Sequence, residues 1–142
     1  MSQVDGPVKL VFCLRRRPDL TREEFQDYWS GRHGQIGIAN AEALGYSRYV
    51  QSHTLTIDLN LALQSGRGAP EAYDGVVELT FPSLDQIAQT FSGTEGRRAA
   101  RELLDDEYNF VDLEASPIFV VQERHMWPSD PGDADAGREP DA

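Results

Sequence analysis

The chain of 142 residues has a single cysteine, Cys13, and no apolar run long enough to cross a bilayer. One cysteine excludes an intrachain disulfide, and its place in an alternating apolar segment favours a buried, unreactive thiol over a nucleophile. The N-terminus also lacks the basic-then-apolar pattern of a secretory leader. The sequence therefore predicts no membrane span, and we expect a cytoplasmic protein.

Positive charge is scarce as well, since 13 Lys and Arg stand against 24 Asp and Glu, a formal net charge of −11. Nucleic-acid binding depends on clustered Lys and Arg, so this balance argues against a nucleic-acid partner. The basic cluster that does occur is Arg15, Arg16 and Arg17. Such a cluster could hold an anionic substrate group, but a short charge run is more typical of a solvated corner.

Motifs for bound cofactors are also missing. No G-x-G-x-x-G or Walker sequence is present. The three histidines, His33, His53 and His125, lie in separate segments without the H-x-x-x-H or H-x-E spacing of metal sites. The sequence thus predicts neither a metal nor an organic cofactor.

The length suits one domain with one core, which we assign to residues 1–127. Residues 128–142 are rich in Pro, Gly, Asp and Ala and contain five acids against one base, so they contribute a substantial part of the negative charge. This segment has almost nothing to bury, and we expect it to be a disordered acidic tail.

The first third of the chain predicts a strand followed by an amphipathic helix. Apolar alternation marks the strand at Val8–Leu14. Thr21 and Glu24 form a capping box, which starts the helix. One stripe of this helix grades from aromatic to cationic, through Phe25, Tyr28, Trp29, Arg32 and His33. Gly31 and Gly34 predict that the helix ends between residues 30 and 34.

The remaining elements repeat this order. A short helix over residues 36–44 ends at Gly45, and strands are expected at 46–53, 75–81 and 118–126. Ser83 with Gln86, and then Thr94, cap the helices of the second half. Residues 54–73 read as a long loop that covers a pocket or a partner.

Strand, helix, strand, strand, helix, strand is the order of an α+β, ferredoxin-like βαββαβ fold. This fold has a four-stranded antiparallel sheet with its helices on one face. Because the strands carry apolar residues on both faces, the other face needs cover, and a second copy is the economical one. The sequence therefore predicts a homodimer in which two sheets form an α/β barrel.

His33 is the leading candidate for chemistry, because imidazole titrates near neutral pH and the stripe becomes polar at this position. It could take a proton from an activated carbon or phenol. A histidine at a helix C-terminus can equally cap backbone carbonyls. Tyr49 and His53 share a strand face and could orient a substrate oxygen, or simply pack in the sheet.

The run from Leu14 to His33, with its three arginines, Pro18, capping box, Tyr28 and Trp29, resembles the EthD-domain family of the dimeric α/β-barrel superfamily. Three further segments support the resemblance: Tyr73-Asp74-Gly75, Asn109-Phe110-Val111-Asp112 and Glu123-Arg124-His125. The resemblance covers about residues 8–125. One departure is Gly34-Gln35-Ile36-Gly37, where relatives have an Ala-Pro-like stretch.

The resemblance implies a small hydrophobic or aromatic ligand between sheet and helices, and chemistry without metal or organic cofactor. It adds Tyr28 and Trp29 to Tyr49 and His53 as expected substrate contacts. Relatives include monooxygenase-like oxidoreductases, lactone isomerases, decarboxylases and cyclases, so we expect an enzyme acting on an oxygenated compound with His33 as acid/base. The alternative is a non-catalytic binding or accessory module. An apolar cavity that receives His33 beside another polar group would favour the enzyme.

Overall fold

The computed structural model describes residues 4–129, and the greater part of the expected acidic tail, residues 130–142, lies outside them. The domain boundary at residue 127 therefore stays a prediction. Four strands form one antiparallel sheet in the order β2-β3-β1-β4. They are β1 (Val8–Leu14), β2 (Arg48–His53), β3 (Gly75–Phe81) and β4 (Ile118–Val121). The predicted ferredoxin-like α+β fold is confirmed.

Six α-helices connect these strands. They are α1 (Arg22–Tyr28), α2 (Gly34–Ala39), α3 (Ala41–Leu44), α4 (Asp58–Ser65), α5 (Leu84–Ser92) and α6 (Thr94–Glu107). A π-helical turn (Trp29–His33) joins α1 to α2, and a 3-10 turn (Leu113–Ala115) precedes β4. Within residues 4–129, no helix combines the length and apolar character needed to cross a bilayer.

The core lies between one face of the sheet and the helices. Strands β1 and β3 contribute Val8, Phe12, Leu14, Val77 and Phe81 to this face. The helices bring Phe25, Leu44, Ile87 and Ala99 against them. The other sheet face carries Val11, Cys13, Val50, Val76 and Phe119, and none of these side chains is fully buried.

The first helix begins as predicted, but its predicted end is wrong. Thr21 and Glu24 make both hydrogen bonds of the capping box. The helix then runs on through the π-turn, where the Gly34 N–H donates to the carbonyl of Trp29, five residues earlier. A Cβ on Gly34 would lie 3.2 Å from the Trp29 carbonyl oxygen, and one on Gly37 would lie 2.7 Å from the Tyr49 ring, whereas a Cβ on Gly31 would meet nothing within 4 Å. His33 is consequently inside a continuous helical segment.

Other boundaries also differ from expectation. The segment 54–73 contains α4, so it is not a plain loop. Thr94 is the first residue of α6, and Gly93 occupies the N-cap without a side-chain cap. Strand β4 ends at Val121, opposite Lys9, and a continuation to residue 126 would extend past Val8, where its partner β1 begins. Strand β2 starts at Arg48, since Tyr46 turns into the core and donates its hydroxyl hydrogen to the Gly37 carbonyl.

Candidate functional site

A cavity of about 300 Å³ lies between the helix-covered sheet face and helices α2, α3, α5 and α6. Its wall is mainly apolar, with Phe12, Val77 and Leu79 from the sheet and Leu103 and Phe110 from the other side. His33 and Glu107 are the titratable side chains other than tyrosine that the described residues contribute to this wall. Its size and its mostly apolar lining with few polar groups are typical of small-molecule sites.

His33 is held at the cavity wall by Asp106 of α6. Its Nδ1 lies 2.8 Å from the Asp106 Oδ2, and its side chain is 9% exposed. Because a carboxylate only accepts hydrogen bonds, Nδ1 carries the proton and Nε2 is the basic nitrogen of the neutral ring. The expected alternative, capping of backbone carbonyls at a helix end, is wrong. The Nδ1–H of His33 donates to the Asp106 carboxylate instead of to a backbone carbonyl.

Asp106 is itself buried and fixed by several donors. The Tyr28 hydroxyl donates to its Oδ1 at 2.7 Å, and the Asn109 amide lies 3.3 Å from the same atom. Arg32, at 3.8 Å, is the nearest cation. Burial alone would raise the pKa of Asp106, but the hydrogen bonds from Tyr28 and His33 outweigh it and keep that pKa below its usual value. Asp106 is therefore a carboxylate that orients His33.

For the His33 imidazole, in contrast to Asp106, burial is the larger influence on the pKa. It lowers the pKa of His33, and the neighbouring Asp106 offsets only part of that effect. The Phe110 ring, with its centroid 4.8 Å from the imidazole centroid, supplies part of the apolar surroundings. At neutral pH the ring is thus mainly neutral, which is the form that accepts a proton.

Glu107 also lines the cavity, and it is not among the site residues predicted from the sequence. Its Oε2 lies 4.0 Å from the His33 Nε2, and its side chain is 17% exposed. Burial, with a smaller contribution from Asp106, raises its pKa to about 7. A carboxyl and an imidazole with displaced pKa values thus share one apolar cavity, which is a common signature of acid/base sites.

Two of the four expected substrate contacts line the cavity. Trp29 does so as part of the core, and its side chain is almost fully buried. Tyr49 does so from β2, and its hydroxyl accepts a hydrogen bond from the Gln51 amide at 2.7 Å. Burial raises the pKa of Tyr49, so its hydroxyl stays protonated and retains a hydrogen to donate.

The other two, Tyr28 and His53, lie outside the cavity wall. Tyr28 acts on Asp106, and His53 stacks on Trp29 with ring centroids 4.5 Å apart. The His53 Nε2 pairs with the Gln51 side-chain oxygen at 2.9 Å. Direct substrate contact by these two residues stays a prediction, and their observed contacts are with protein groups that support the site.

Comparison with known proteins agrees with this architecture. The EthD domain family model matches residues 17–114. The chain belongs to the EthD domain family. A comparison with curated protein sequences gives no match.

Solved structures similar to this EthD domain share its fold. An EthD-like protein from Ralstonia eutropha JMP134 is 17% identical with a TM-score of 0.57, over 84% of this chain and 93% of that chain. The ethyl tert-butyl ether D (EthD) family protein from Bacillus halodurans C-125 is 13% identical with a TM-score of 0.55, over 83% of this chain and 99% of that chain. A dimeric protein of unknown function with a ferredoxin-like fold from Bacteroides fragilis NCTC 9343 is 12% identical with a TM-score of 0.52, over 82% and 96%.

The arginine cluster of the EthD domain has a structural role that differs from both expectations. Asp74 is fully buried at the start of β3 and accepts hydrogen bonds from the Arg16 backbone and side chain. The Arg22 Nε donates to the same carboxylate at 2.9 Å. Arg15 stacks on Tyr73. Arg17 pairs with Asp19 at the surface, at 3.0 Å. All three arginines are thus engaged in protein contacts, and none of the three lines the cavity.

Metal ligation finds no support in the side-chain arrangement of residues 4–129. No group of three or more His, Cys, Asp or Glu side chains there is placed to hold an ion. His33 has its Nδ1 engaged by Asp106, and His53 is turned toward Gln51.

The sequence did hold a signal for Asp106 and Glu107. The apolar stripe of α6 runs through Ala99 and Leu103, and continuing it by three or four residues arrives at Asp106 and Glu107. Acidic residues on the buried stripe of a helix are unusual, because burying a charge is costly.

Proposed function

We propose that this EthD-domain protein is an enzyme that uses His33 as acid/base on a small hydrophobic or aromatic oxygenated compound, with no metal or organic cofactor of its own. One observation carries the proposal: His33 lies in the wall of an apolar cavity while Asp106 holds its Nδ1 at 2.8 Å. This leaves Nε2 as the basic atom on a ring of fixed orientation. A side chain that only filled the core would need no buried carboxylate behind it.

The surroundings of His33 suit proton removal from a weak carbon or phenol acid. The neutral imidazole is the form favoured by burial, so the base is ready at neutral pH. When it takes a proton, the imidazolium that forms lies beside the Asp106 carboxylate, which stabilises it. The apolar wall excludes water and strengthens that interaction.

Deprotonation is the first step of several reactions that the family resemblance implies. A carbanion or phenolate can react with dioxygen, move a double bond or close a ring. Decarboxylation instead forms a carbanion by loss of carbon dioxide, and a protonated His33 could supply the proton that this carbanion takes up. The site therefore supports the general class, and the subsequent fate of the anion depends on the substrate.

We also propose that the protein acts as a homodimer. The uncovered sheet face presents Val11, Val50, Val76 and Phe119, an apolar strip drawn from all four strands. Glu78 lies between Val50 and Val11 on this face and pairs with Lys9 at 3.6 Å. The fold neighbour from Bacteroides fragilis is described as dimeric. Burial of this strip against the same strip of a second copy would satisfy both sheets.

The test is a turnover screen of hydrophobic ketones and phenols with the wild type and His33→Asn, a near-isosteric change that removes titration. We expect conversion to fall by about 10²–10⁴-fold in the variant, the usual contribution of general acid/base catalysis. His125→Asn is the matched control, because His125 is exposed and absent from the cavity wall. Equal rates in wild type and His33→Asn would refute the role of His33. Binding without conversion by the wild type would favour an accessory module.

A further inference from the structure

We infer that Glu107 is the proton donor of the site, and that the substrate is a neutral hydrophobic ketone whose carbonyl oxygen receives that proton while His33 removes one from the adjacent carbon. This inference rests on the proposed role of His33. It adds a second catalytic residue and a substrate class.

His33 and Glu107 are placed to act on neighbouring atoms of one substrate. The Glu107 Oε2 and the His33 Nε2 are 4.0 Å apart, which is too far for a hydrogen bond between them. Both side chains line the same cavity. The α-carbon and the oxygen of a ketone are separated by two bonds, so one substrate can present each atom to one of the two groups at hydrogen-bond distance.

The surroundings of Glu107 favour its protonated form. On its own helix it adjoins the Asp106 carboxylate, and from the π-turn it faces His33, with Arg32 paired to Asp106 at 3.8 Å. From β2 it faces the Tyr49 hydroxyl, while β1 and β3 offer the cavity only apolar side chains such as Phe12 and Leu79. With a carboxylate beside it and no adjacent Lys or Arg in the described wall, Glu107 is stabilised as the neutral acid, consistent with its pKa of about 7.

The charges around the cavity favour a neutral substrate. None of the described residues that line the cavity is Lys or Arg, whereas Glu107 is in the wall and Asp106 directly behind it. A carboxylate or phosphate substrate would be repelled and would find no cation to pair with. A neutral ketone instead places its hydrocarbon part on the apolar wall and its oxygen near Glu107.

The proposed step balances within the site. The C–H bond next to the carbonyl breaks, and its proton moves to the His33 Nε2. The electron pair forms a carbon–carbon double bond, and the carbonyl oxygen takes the Glu107 proton to give a neutral enol. The site then holds an imidazolium and two carboxylates. Return of the oxygen proton to Glu107, with delivery of the His33 proton to carbon, restores the starting state.

The kinetic test compares the pH dependence of kcat/KM for ketone conversion in the wild type, Glu107→Gln and Glu95→Gln, an exposed control on the same helix. Because the reaction needs neutral His33 and protonated Glu107, kcat/KM of the wild type should have a bell-shaped pH dependence. It should rise as pH passes the lowered pKa of His33 and fall above pH about 7, where Glu107 loses its proton. Glu107→Gln should lower kcat by about 10²-fold and lose the alkaline fall. An unchanged rate or a retained alkaline fall in Glu107→Gln would overturn the inference.

A second measurement does not depend on turnover. The probe is 1-tetralone, a neutral aromatic ketone, and the readout is its infrared carbonyl stretch when bound to the protein at about pH 6 and about pH 9, on either side of the Glu107 titration. We expect a lower frequency at the acid pH in the wild type and no pH dependence in Glu107→Gln. If the carbonyl stretch shifts with pH as expected but the protein converts no ketone, the proposed catalytic function is refuted, while the contact between protonated Glu107 and the ketone oxygen is retained. No binding, or a pH-independent stretch in the wild type, would overturn it.

Discussion

The hydrogen bond between His33 and Asp106 determines which imidazole nitrogen can act as a base. With Asp106 ionised, Nδ1 holds its proton and Nε2 is left as the basic nitrogen. Asp106 acts through His33 and does not line the cavity, so it is a positioning residue. Tyr28 fixes the other carboxylate oxygen, which keeps Asp106 in place.

Asp106→Asn should lower kcat by about 10²-fold, because an amide can donate to Nδ1 and place the ring proton on Nε2 instead. Loss of the carboxylate also removes a group that raises the pKa of both His33 and Glu107. Both limbs of the pH profile should therefore move to lower pH, and steady-state kinetics across pH measure this shift. Asp105→Asn is the control, because Asp105 is an exposed residue of the same helix and pairs with Arg101. If both limbs of the pH profile stay at their wild-type pH in Asp106→Asn, the positioning role of Asp106 is contradicted.

At the residue scale, the sequence pointed to His33 as the candidate base but not to Asp106 and Glu107 beside it. His33 stood out because it ends an aromatic stripe, and its periodicity is visible in the chain itself. Asp106 and Glu107 are more than 70 residues away and meet His33 only through tertiary packing. Their burial depends on how α6 rotates against the sheet, which local periodicity constrains only loosely.

Among the elements, α1 and the ends of β1 and β3 are tied together by buried Asp74. Arg16 follows β1, Arg22 begins α1, and both donate to the Asp74 carboxylate. Burial would raise the pKa of Asp74, but these hydrogen bonds outweigh it and lower that pKa. Since the folded-state pKa is depressed, the stabilisation is present above the unfolded pKa and is lost as pH falls through the folded value.

Asp74→Asn should reduce the free energy of unfolding by about 2–4 kcal/mol, because it leaves two arginines without their buried counter-charge. Urea unfolding at neutral pH measures the change. Asp19→Asn is the control, since Asp19 pairs with Arg17 at the surface and should cost about 1 kcal/mol or less. A loss for Asp74→Asn no larger than that of the control would show that the cluster is not structural.

The element boundaries show what local signals decide. Thr21 with Glu24 and Ser83 with Gln86 start helices where the sequence predicts, because a cap is a contact between near neighbours. Gly31 and Gly34 did not end the first helix, which continues through the π-turn into α2. Gly34 and Gly37 lie where this segment approaches the Trp29 carbonyl and the Tyr49 ring. A glycine required by tertiary packing looks the same in sequence as one that terminates a helix.

At the scale of the whole molecule, the two faces of the sheet differ in what covers them. The helix-covered face builds the cavity, while the strip of Val11, Val50, Val76 and Phe119 lies on the opposite face. The ferredoxin-like order was predictable because each strand and helix had its own pattern and right-handed crossovers leave few topologies. The cavity was not predictable from these patterns, since its volume depends on how closely the helices approach the sheet.

Mass measurement by light scattering should give a dimer, twice the chain mass of 15.9 kDa. Val50→Lys places a charge on the open sheet face and should give a folded monomer, because burying that charge in the interface is costly. Ile38→Lys, at an exposed position on α2, is the control and should remain dimeric. A wild type that is monomeric at all practical concentrations would contradict the role given to the open face.

The central claim, that His33 is the base of an apolar cavity, is tested most directly by deuterium exchange into a bound ketone. Exchange needs only removal and return of the α-proton, so it does not depend on knowing the complete reaction. In deuterium oxide, the wild type should exchange the α-protons of 1-tetralone faster than His33→Asn by about 10²-fold or more, measured by proton NMR. Equal exchange rates for the two proteins, each bound to the ketone, would contradict the account.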